Sequence, residues 1–231
     1  MRLPMLSRVL EPEVMDSVSE AVDYDAMDHS EVNRRFVDHL LEQRLSVEGS
    51  GGRPLRVLDV GTGTALIPLV LCQREVTIYV TAIDLAANML QVGQRNVIRE
   101  GLQSRIKLEH LDAKNLPYSS ASFEWVISNS IVHHIPDPQT CLREMLRVVT
   151  PGGLLFVRDL LRPHDLPTLK YLVQTYAGDA NAHQQQMFDD SLHAALTLHE
   201  VRTLLEALNL PVEWVTQTTD RHWTICGRVP N

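Results

Sequence analysis

The chain has 231 residues, of which 44% are hydrophobic and 22% charged, and its formal net charge at pH 7 is -8. This composition is typical of a globular protein that can bury enough surface to fold without disulfide or metal cross-links, and the negative charge argues against a nucleic-acid partner. The three cysteines fit no disulfide or zinc spacing and no run is long enough to span a membrane, so we expect a cytoplasmic protein whose oligomeric state the sequence leaves open.

Residues 1–50 are acidic and prone to form helices. Between Glu11 and Glu31 there are eight acidic residues and no lysine or arginine. We predict that this segment is a helical lid over a bound ligand. Its candidate ligand contacts are aromatic or polar residues at helical spacing: Tyr24, His29 and Arg34. The alternative is a solvated amphipathic helix that packs through Met27 and Phe36.

Strand and helix patterns alternate from residue 55 onward. The periodicity predicts strands at 55–60, 76–83, 105–111, 123–128 and 154–157, with helices at 65–73, 86–100 and 139–149. This alternation favours an α/β fold, a parallel sheet with helices on both faces.

The pattern changes after the fifth strand. Two helical segments within 162–196 do not extend the sheet pattern and predict an insertion, in which Tyr176 is a candidate substrate contact. A helix at 198–208 then precedes two strands, 212–216 and 222–227, which we expect to form a hairpin that adds an antiparallel strand. We therefore interpret residues 1–231 as one domain. Its parts are a lid at 1–50, a core at 55–161, the insertion at 162–196 and a terminal section at 197–231.

The most informative segment is the glycine-rich turn that follows the first strand, Val57–Ala65. Gly61 and Gly63 allow a sharp turn and the close approach of a ligand to the backbone. Asp59 precedes the first glycine by two residues and would repel a phosphate, and Leu66 stands where a dinucleotide-binding turn has its third glycine. A nucleoside ligand with a positive charge satisfies this turn, and S-adenosylmethionine fits that description.

Polar residues follow the other strands of the predicted sheet, where ligands of open parallel sheets bind. Asp84 is placed to accept the two ribose hydroxyls, although it could also cap the next helix. Asp112 and Ala113 could bind an adenine edge, and the alternative for Asp112 is a loop turn. Leu85 and Met89 could pack on the adenine faces, and Met89 could equally be a core residue.

Three segments together resemble the class I S-adenosylmethionine-dependent methyltransferases. These segments are Val57–Ala65, Phe123–Pro138 and Leu142–Gly153, and the branch they most resemble includes the ubiquinone and menaquinone biosynthesis C-methyltransferases. The resemblance implies a Rossmann-like seven-stranded sheet of order 3-2-1-4-5-7-6 with an antiparallel seventh strand. It also implies that Asp59, Gly61, Thr62 and Gly63 surround the methionine part of the cofactor, and that Asn129 lies near the transferable methyl group. The turn departs from the family at Ala65, where a third glycine is common.

The implied reaction is transfer of the methyl group to a small-molecule acceptor by in-line displacement, which leaves S-adenosylhomocysteine. Proximity and orientation supply most of what such a step requires, and an acceptor that is a weak acid also needs a base. His133 and His134 follow the fourth strand and are the candidates for that base, or else they only shape the loop. His183, His193 and His199 lack metal-ligand spacing, so we expect no metal.

Other functions remain as alternatives. An RNA or protein methyltransferase is one, although the acidic composition and the absence of a basic extension disfavour RNA. A non-catalytic protein that binds S-adenosylmethionine is another, although the intact glycine turn disfavours it. Asp59 and Leu66 oppose an NAD-dependent oxidoreductase.

Overall fold

The computed structural model of the chain describes residues 6–14, 16–45 and 54–230. Residues 1–5, 15 and 46–50 of the predicted lid lie outside this part. The described residues contain seven strands in one sheet of order β3-β2-β1-β4-β5-β7-β6. The strands are β1 Leu55–Val60, β2 Ile78–Asp84, β3 Ile106–His110, β4 Phe123–Asn129, β5 Val149–Leu160, β6 Val215–Gln217 and β7 His222–Arg228.

The directions of the strands agree with the prediction. β1 pairs in parallel with β2 and β4, and β2 pairs in parallel with β3. β6 pairs with β7 in the antiparallel direction. Backbone bonds join residue 161 to 221 and residues 152 and 153 to 229, so β7 also runs opposite to β5. The predicted strand order, with its antiparallel seventh strand, is confirmed.

Eight α-helices lie within the described residues. They are α1 Val18–Ala26, α2 Ser30–Leu45, α3 Leu66–Arg74, α4 Ala87–Arg99, α5 Pro138–Val148, α6 Leu166–Ala177, α7 Ala182–Ala194 and α8 Leu198–Ala207. Several begin at a side chain that satisfies a free backbone N–H of the first turn. Ser17, Asn181 and Thr197 form reciprocal capping boxes at α1, α7 and α8.

Two predicted boundaries are wrong. β5 begins at Val149 rather than residue 154, because the Pro151–Gly153 segment continues the strand instead of only ending the helix before it. A side chain at Gly153 would meet backbone oxygens of Glu124 and Thr150 at 2.7 Å, so only glycine fits there. In the predicted strand at 212–216, Val212–Trp214 form a 3₁₀ turn and β6 begins at Val215.

The chain divides into two compact units. The first, which we call the glycine-turn unit, consists of residues 14–129, 142–156 and 227–231. The second, which we call the histidine unit, consists of residues 1–13, 130–141 and 157–226. The segment predicted as one lid is therefore shared between them, with residues 1–13 in one unit and α1 and α2 in the other.

In the glycine-turn unit, α2 is part of the core. Phe36, Val37 and Leu40 are fully buried, and the ring of Phe36 meets that of Phe156 edge-on at 5.1 Å between centroids. Burying a phenylalanine side chain stabilises a fold by about 1.5–3 kcal/mol. Packing through Phe36, which was the alternative prediction for this segment, is what the structure shows for α2.

The histidine unit has its own apolar cluster. Leu160 at the end of β5 packs with residues of α6 and α7, and Leu6 of the N-terminal segment packs against the same cluster. Backbone bonds from Leu6 to His164 and from Val9 to His193 fix that segment. In the described part of the chain, no helix is both long and apolar enough to cross a membrane.

Candidate functional site

The glycine turn lies at the carboxyl edge of the parallel strands. The register pairs Val60 with Ile83 on one side and with Ser128 on the other, so β1, β2 and β4 end together. Gly61 and Gly63 have φ angles of 74° and 55°, in the left-handed region that glycine adopts without cost. The turn therefore lies at the same edge of the sheet as Asp84 and Asn129.

Ala65 also has a left-handed backbone, with φ of 65°, and it precedes α3 rather than beginning it. An alanine in this conformation costs about 1–2 kcal/mol, which a glycine would avoid. This is a physical reason for the third glycine that is common in the family the sequence resembles.

Asp84 is the residue that shapes the turn. Its Oδ2 accepts a hydrogen bond from the Gly63 N–H at 2.7 Å, and its Oδ1 accepts one from the Ala86 N–H at 2.9 Å. The N-cap residue of α4 is Ala86, and the Asn88 N–H in the first turn of that helix is accepted by Asp16 Oδ1 and not by Asp84. Capping of α4, the alternative prediction for Asp84, is therefore not what the structure shows. Burial raises the pKa of Asp84, while the bonds from Ala86 and Gly63 oppose that rise. Each oxygen keeps a lone pair that a ligand hydroxyl could use.

Asp59 lies on β1 with only 2% of its surface exposed. Its Oδ2 is buried and has no hydrogen-bond partner among the described residues. Burial raises the pKa of Asp59 to about 7, the Thr62 hydroxyl opposes this, and the nearby Asp84 carboxylate adds to it. A buried acid with an unsatisfied oxygen is suited to a cationic ligand, whose charge would return that pKa toward its ordinary value.

Tyr24 of α1 lies directly at the turn. A Cβ atom placed on Gly63 would be 3.7 Å from Tyr24 Cε1. Burial raises the pKa of Tyr24 to about 12, with further contributions from Asp84 and Asp59. The Tyr24 ring lies 4.5 Å from the His29 ring, and Tyr24 O is 2.9 Å from His29 Nε2. The structure therefore brings Tyr24 to the glycine turn, and His29 contacts Tyr24.

Two asparagines of α4 hold α1 and the residues before it. Asn88 donates hydrogen bonds to Asp16, and the buried Asn96 donates one to Asp25 Oδ1 at 2.8 Å and one to Thr64 O at 3.1 Å. Arg34 instead points outward, where it pairs with Asp38 at 3.5 Å and its side chain is 63% exposed. The predicted ligand contact of Arg34 has no support in this geometry.

Met89 and Leu85 were predicted to pack on the faces of an adenine. Met89 is buried in an apolar cluster with Ala21, Ala86 and Val92, the core role that was the alternative prediction. Leu85 is half-buried, next to Asp84.

Asp112 accepts a hydrogen bond from the Lys114 N–H at 2.8 Å, and Lys114 Nζ lies 3.2 Å from the same oxygen. Asp112 thus forms the loop turn that was its alternative, and Ala113 is half-buried beside it. An adenine role for this pair stays a prediction.

Asn129 ends β4. Its Oδ1 is buried without a hydrogen-bond partner in the described part of the chain. The preceding Ser128 is satisfied, because its hydroxyl donates to Val60 O at 2.8 Å. The unsatisfied oxygen of Asn129 therefore lies beyond the strand pairing, where a ligand would supply the missing donor.

The two candidate base residues lie in the histidine unit, in a 3₁₀ turn over Val132–His134. His133 Nδ1 is 2.5 Å from Asp159 Oδ1, and the two side chains are 3% and 0% exposed. Burial alone would lower the pKa of His133, but the Asp159 carboxylate outweighs it and the net shift is upward. Burial and the neighbouring His133 lower the pKa of His134 to about 3, so His134 is neutral at physiological pH.

Tyr176 of α6 is held by contacts with a neighbouring loop. Its hydroxyl donates to Asp220 Oδ2 at 2.6 Å, and the Arg221 guanidinium lies 3.3 Å from its ring centroid. The ring is exposed on the surface of the histidine unit. A substrate role for Tyr176 stays a prediction without a supporting contact.

Sequence reasoning missed Asn96, Asp159 and Glu11. The available signal for Asn96 was its place among the apolar residues that form the buried face of α4. Nothing in the spacing of Asp159 or Glu11 connects them to the histidine pair. Asp159 follows His133 by 26 residues in the sequence.

Comparison with known proteins adds the family. Residues 58–157 match the family described as a methyltransferase domain. This segment of the chain is similar to a methyltransferase domain. The resemblance predicted from the glycine turn and the segments after it is confirmed by this match, which runs from within β1 to within β5 and includes both Asp59 and Asp84.

Two curated relatives and one solved structure are similar to the chain. The 27-O-demethylrifamycin SV methyltransferase of Amycolatopsis mediterranei is 29% identical over 78% of this chain and 65% of its own length. The demethylmenaquinone methyltransferase of Porphyromonas gingivalis is 32% identical over 49% of this chain and 47% of its own length. A SAM-dependent methyltransferase from Aquifex aeolicus superposes with a TM-score of 0.68 at 18% identity, over 92% of this chain and 98% of that one.

These relatives are longer than the segment that they share with the chain. The chain spans about half to two thirds of the length of the curated relatives it matches. The Aquifex structure, at its low identity, establishes the fold alone.

Proposed function

We propose that the chain is an S-adenosylmethionine-dependent methyltransferase that transfers a methyl group to a small-molecule acceptor. The observation that carries the proposal is the position of Asp84, whose two oxygens accept the N–H groups of Gly63 and Ala86. This arrangement holds the glycine turn around a carboxylate, which suits a ribose diol and excludes a phosphate.

The residues fit the cofactor at three points. Asp84 would accept the ribose hydroxyls, Asp59 would face the cationic methionine part, and Asp112 with Ala113 would face the adenine. The unsatisfied oxygens of Asp59 and Asn129 support this placement, because each requires a partner that the described chain does not provide. When bound, the cofactor supplies a sulfonium methyl that is already activated. The chain then has to bind and orient the two reactants and exclude water.

A small molecule is the acceptor class that the chain favours. Its net charge of -8 disfavours a polynucleotide. The names of two relatives, a 27-O-demethylrifamycin SV methyltransferase and a demethylmenaquinone methyltransferase, indicate small acceptors for those proteins. We also place the protein in the cytoplasm, since Cys72, Cys141 and Cys226 form no disulfide within the described residues, as in proteins of a reducing compartment.

Calorimetric titration tests the cofactor. We expect S-adenosylmethionine and S-adenosylhomocysteine to bind the full chain with one site each, and NAD to give no saturable heat at the same concentrations. The reason is charge, since Asp59 and Asp84 attract a sulfonium nucleoside and repel a pyrophosphate. Saturable binding of NAD with no binding of either nucleoside would overturn the proposal.

Tyr24 tests the predicted lid. Replacing Tyr24 with alanine removes the ring that covers Gly63, and we expect S-adenosylmethionine affinity to fall about tenfold, the loss typical of one buried aromatic contact. Tyr24→Phe keeps the ring and should bind almost as well as the unmodified chain. Tyr171→Ala, at an exposed position on α6, is the matched control. Equal affinities for Tyr24→Ala and this control would exclude a lid role for the tyrosine.

A further inference from the structure

Three side chains that commonly ligate metals gather within the histidine unit. They are Glu11 of the N-terminal segment and His133 and His134 of the 3₁₀ turn, and their candidate ligand atoms all lie within 4.8 Å of one another. His134 Nδ1 is 3.9 Å from Glu11 Oε2. The cluster is built by the fold, because Glu11 stands more than a hundred residues before the histidines.

Two atoms of this cluster are buried without a hydrogen-bond partner among the described residues, Glu11 Oε1 and His134 Nδ1. A buried polar atom without a partner costs free energy, so native proteins pair such atoms with protein groups, water or ions. Here two potential ligand atoms with free lone pairs lie in one cluster. Burial also raises the pKa of Glu11 and lowers that of His134, as expected for a pocket that lacks its compensating charge.

Asp159 gives His133 the support that metal-bound histidines have. The Asp159 carboxylate lies 2.5 Å from His133 Nδ1 and also accepts the Val132 N–H and Leu160 N–H, each at 2.6 Å. When its Nδ1 proton is donated to Asp159, the neutral form of His133 carries its lone pair on Nε2. A carboxylate that orients a histidine in this way is typical of metal sites.

We propose that Glu11, His133 and His134 form a binding site for one divalent first-row transition-metal ion of the zinc class. Two imidazoles and one carboxylate favour such an ion over Mg²⁺ or Ca²⁺, which prefer oxygen ligands. Zinc bonds of about 2.0–2.2 Å place neighbouring ligand atoms roughly 3.4 Å apart. The side chains therefore have to close inward by about an ångström, and the fourth position stays open to water or a ligand.

The metal would join the N-terminal segment to the 3₁₀ turn. Arg8 already begins this connection, because its guanidinium donates to the backbone oxygens of His133 and Ile135 at 3.1 and 3.2 Å. Arg8 contributes one positive charge beside the two carboxylates of Glu11 and Asp159, so the site still favours a cation. A His133 bound to metal through Nε2 has no lone pair for a proton, and the site is thus an alternative to the role of that residue as a base.

Metal titration of the full chain tests the site. After treatment with a chelator and removal of that chelator, we expect Zn²⁺ to bind in calorimetry with one ion per chain, and Co²⁺ to develop the visible absorption of a low-coordinate complex. Mg²⁺ should not compete. Bound zinc should also raise the thermal unfolding temperature, since it binds only the folded cluster. None of these measurements depends on methyl transfer or on its cofactor.

Variants identify the ligands. We expect Glu11→Gln and His134→Asn each to weaken zinc binding at least tenfold, and Asp159→Asn to weaken it by about 10–100-fold, as for other residues that orient a metal ligand. His183→Asn removes an exposed imidazole of α7 and is the matched control. If the unmodified chain binds no zinc, or if the His183 variant loses as much affinity as the His134 variant, the proposal is overturned. The titration of the unmodified chain decides this even where a variant fails to fold.

Discussion

Asp84→Ala is expected to lower the affinity of the chain for S-adenosylmethionine by at least a hundredfold. Two hydroxyls that donate to a carboxylate contribute about 1.5–3 kcal/mol each, and their loss together corresponds to roughly two to four powers of ten in affinity. The same substitution leaves the Gly63 and Ala86 N–H groups without their acceptor. Calorimetric titration with S-adenosylmethionine measures the change.

Two further variants separate the ribose contact from the shape of the turn. Asp84→Asn keeps one acceptor oxygen for the turn and should bind the cofactor better than Asp84→Ala, yet more weakly than the unmodified chain. Asp38→Ala removes a carboxylate that pairs with Arg34 on α2, and it should not change affinity. Thermal unfolding without cofactor shows whether the turn itself has been lost. An Asp84→Ala protein that folds and binds with unchanged affinity would remove the ribose assignment.

The sheet could be predicted from the sequence because each signal was local. The buried run Leu55–Val60 and the glycines after it define both a strand and its end, and the observed strand has the same bounds. The positions of Asp84 and Asn129 at strand ends followed from the same alternation. Since parallel strands of a sheet end at one edge, a one-dimensional pattern was enough to bring these residues together.

The histidine pair shows where local signals fail. His133 and His134 were visible as candidates, but their environment depends on Asp159 at the far end of β5 and on Glu11 near the N-terminus. Only tertiary structure connects such distant residues. The acidic segment 1–50 posed the same difficulty, because its composition suggested a lid along its whole length, whereas α2 buries Phe36 and Leu40 completely.

The backbone at Ala65 illustrates a third kind of limit. The position of Ala65 after the glycines favoured the start of a helix at this residue. Ala65 instead adopts a left-handed conformation, and α3 begins one position later, at Leu66. Helix propensity describes the average alanine, whereas the close approach of α4 at Gly93 constrains this one. A Cβ atom on Gly93 would lie 3.2–3.3 Å from atoms of Thr64 and Ala65.

Asp59→Asn is expected to act in opposite directions on stability and on cofactor binding. A carboxyl with a pKa near 7 in the folded chain and 3.8 in model compounds is costly to keep ionised, by roughly 4 kcal/mol when fully charged. The cost is absent below pH 4, grows as pH rises and is complete above pH 7. The neutral asparagine avoids it, so the variant should gain stability over the unmodified chain as pH increases from 5 to 8, by about 2 kcal/mol or several degrees in unfolding temperature.

Cofactor binding should show the reverse. The sulfonium and ammonium charges of S-adenosylmethionine favour the ionised form of Asp59, so affinity for the unmodified chain should strengthen from pH 6 to pH 8. The asparagine variant should bind at least tenfold more weakly at pH 8 and lose most of that pH dependence. Asp38→Asn, at a half-buried position of α2 that pairs with Arg34 and with Arg74 of α3, controls for the general loss of one carboxylate. A variant that binds normally and gains no stability at pH 8 would show that Asp59 neither bears an electrostatic cost nor meets the ligand, because a buried carboxylate retained for binding must do both.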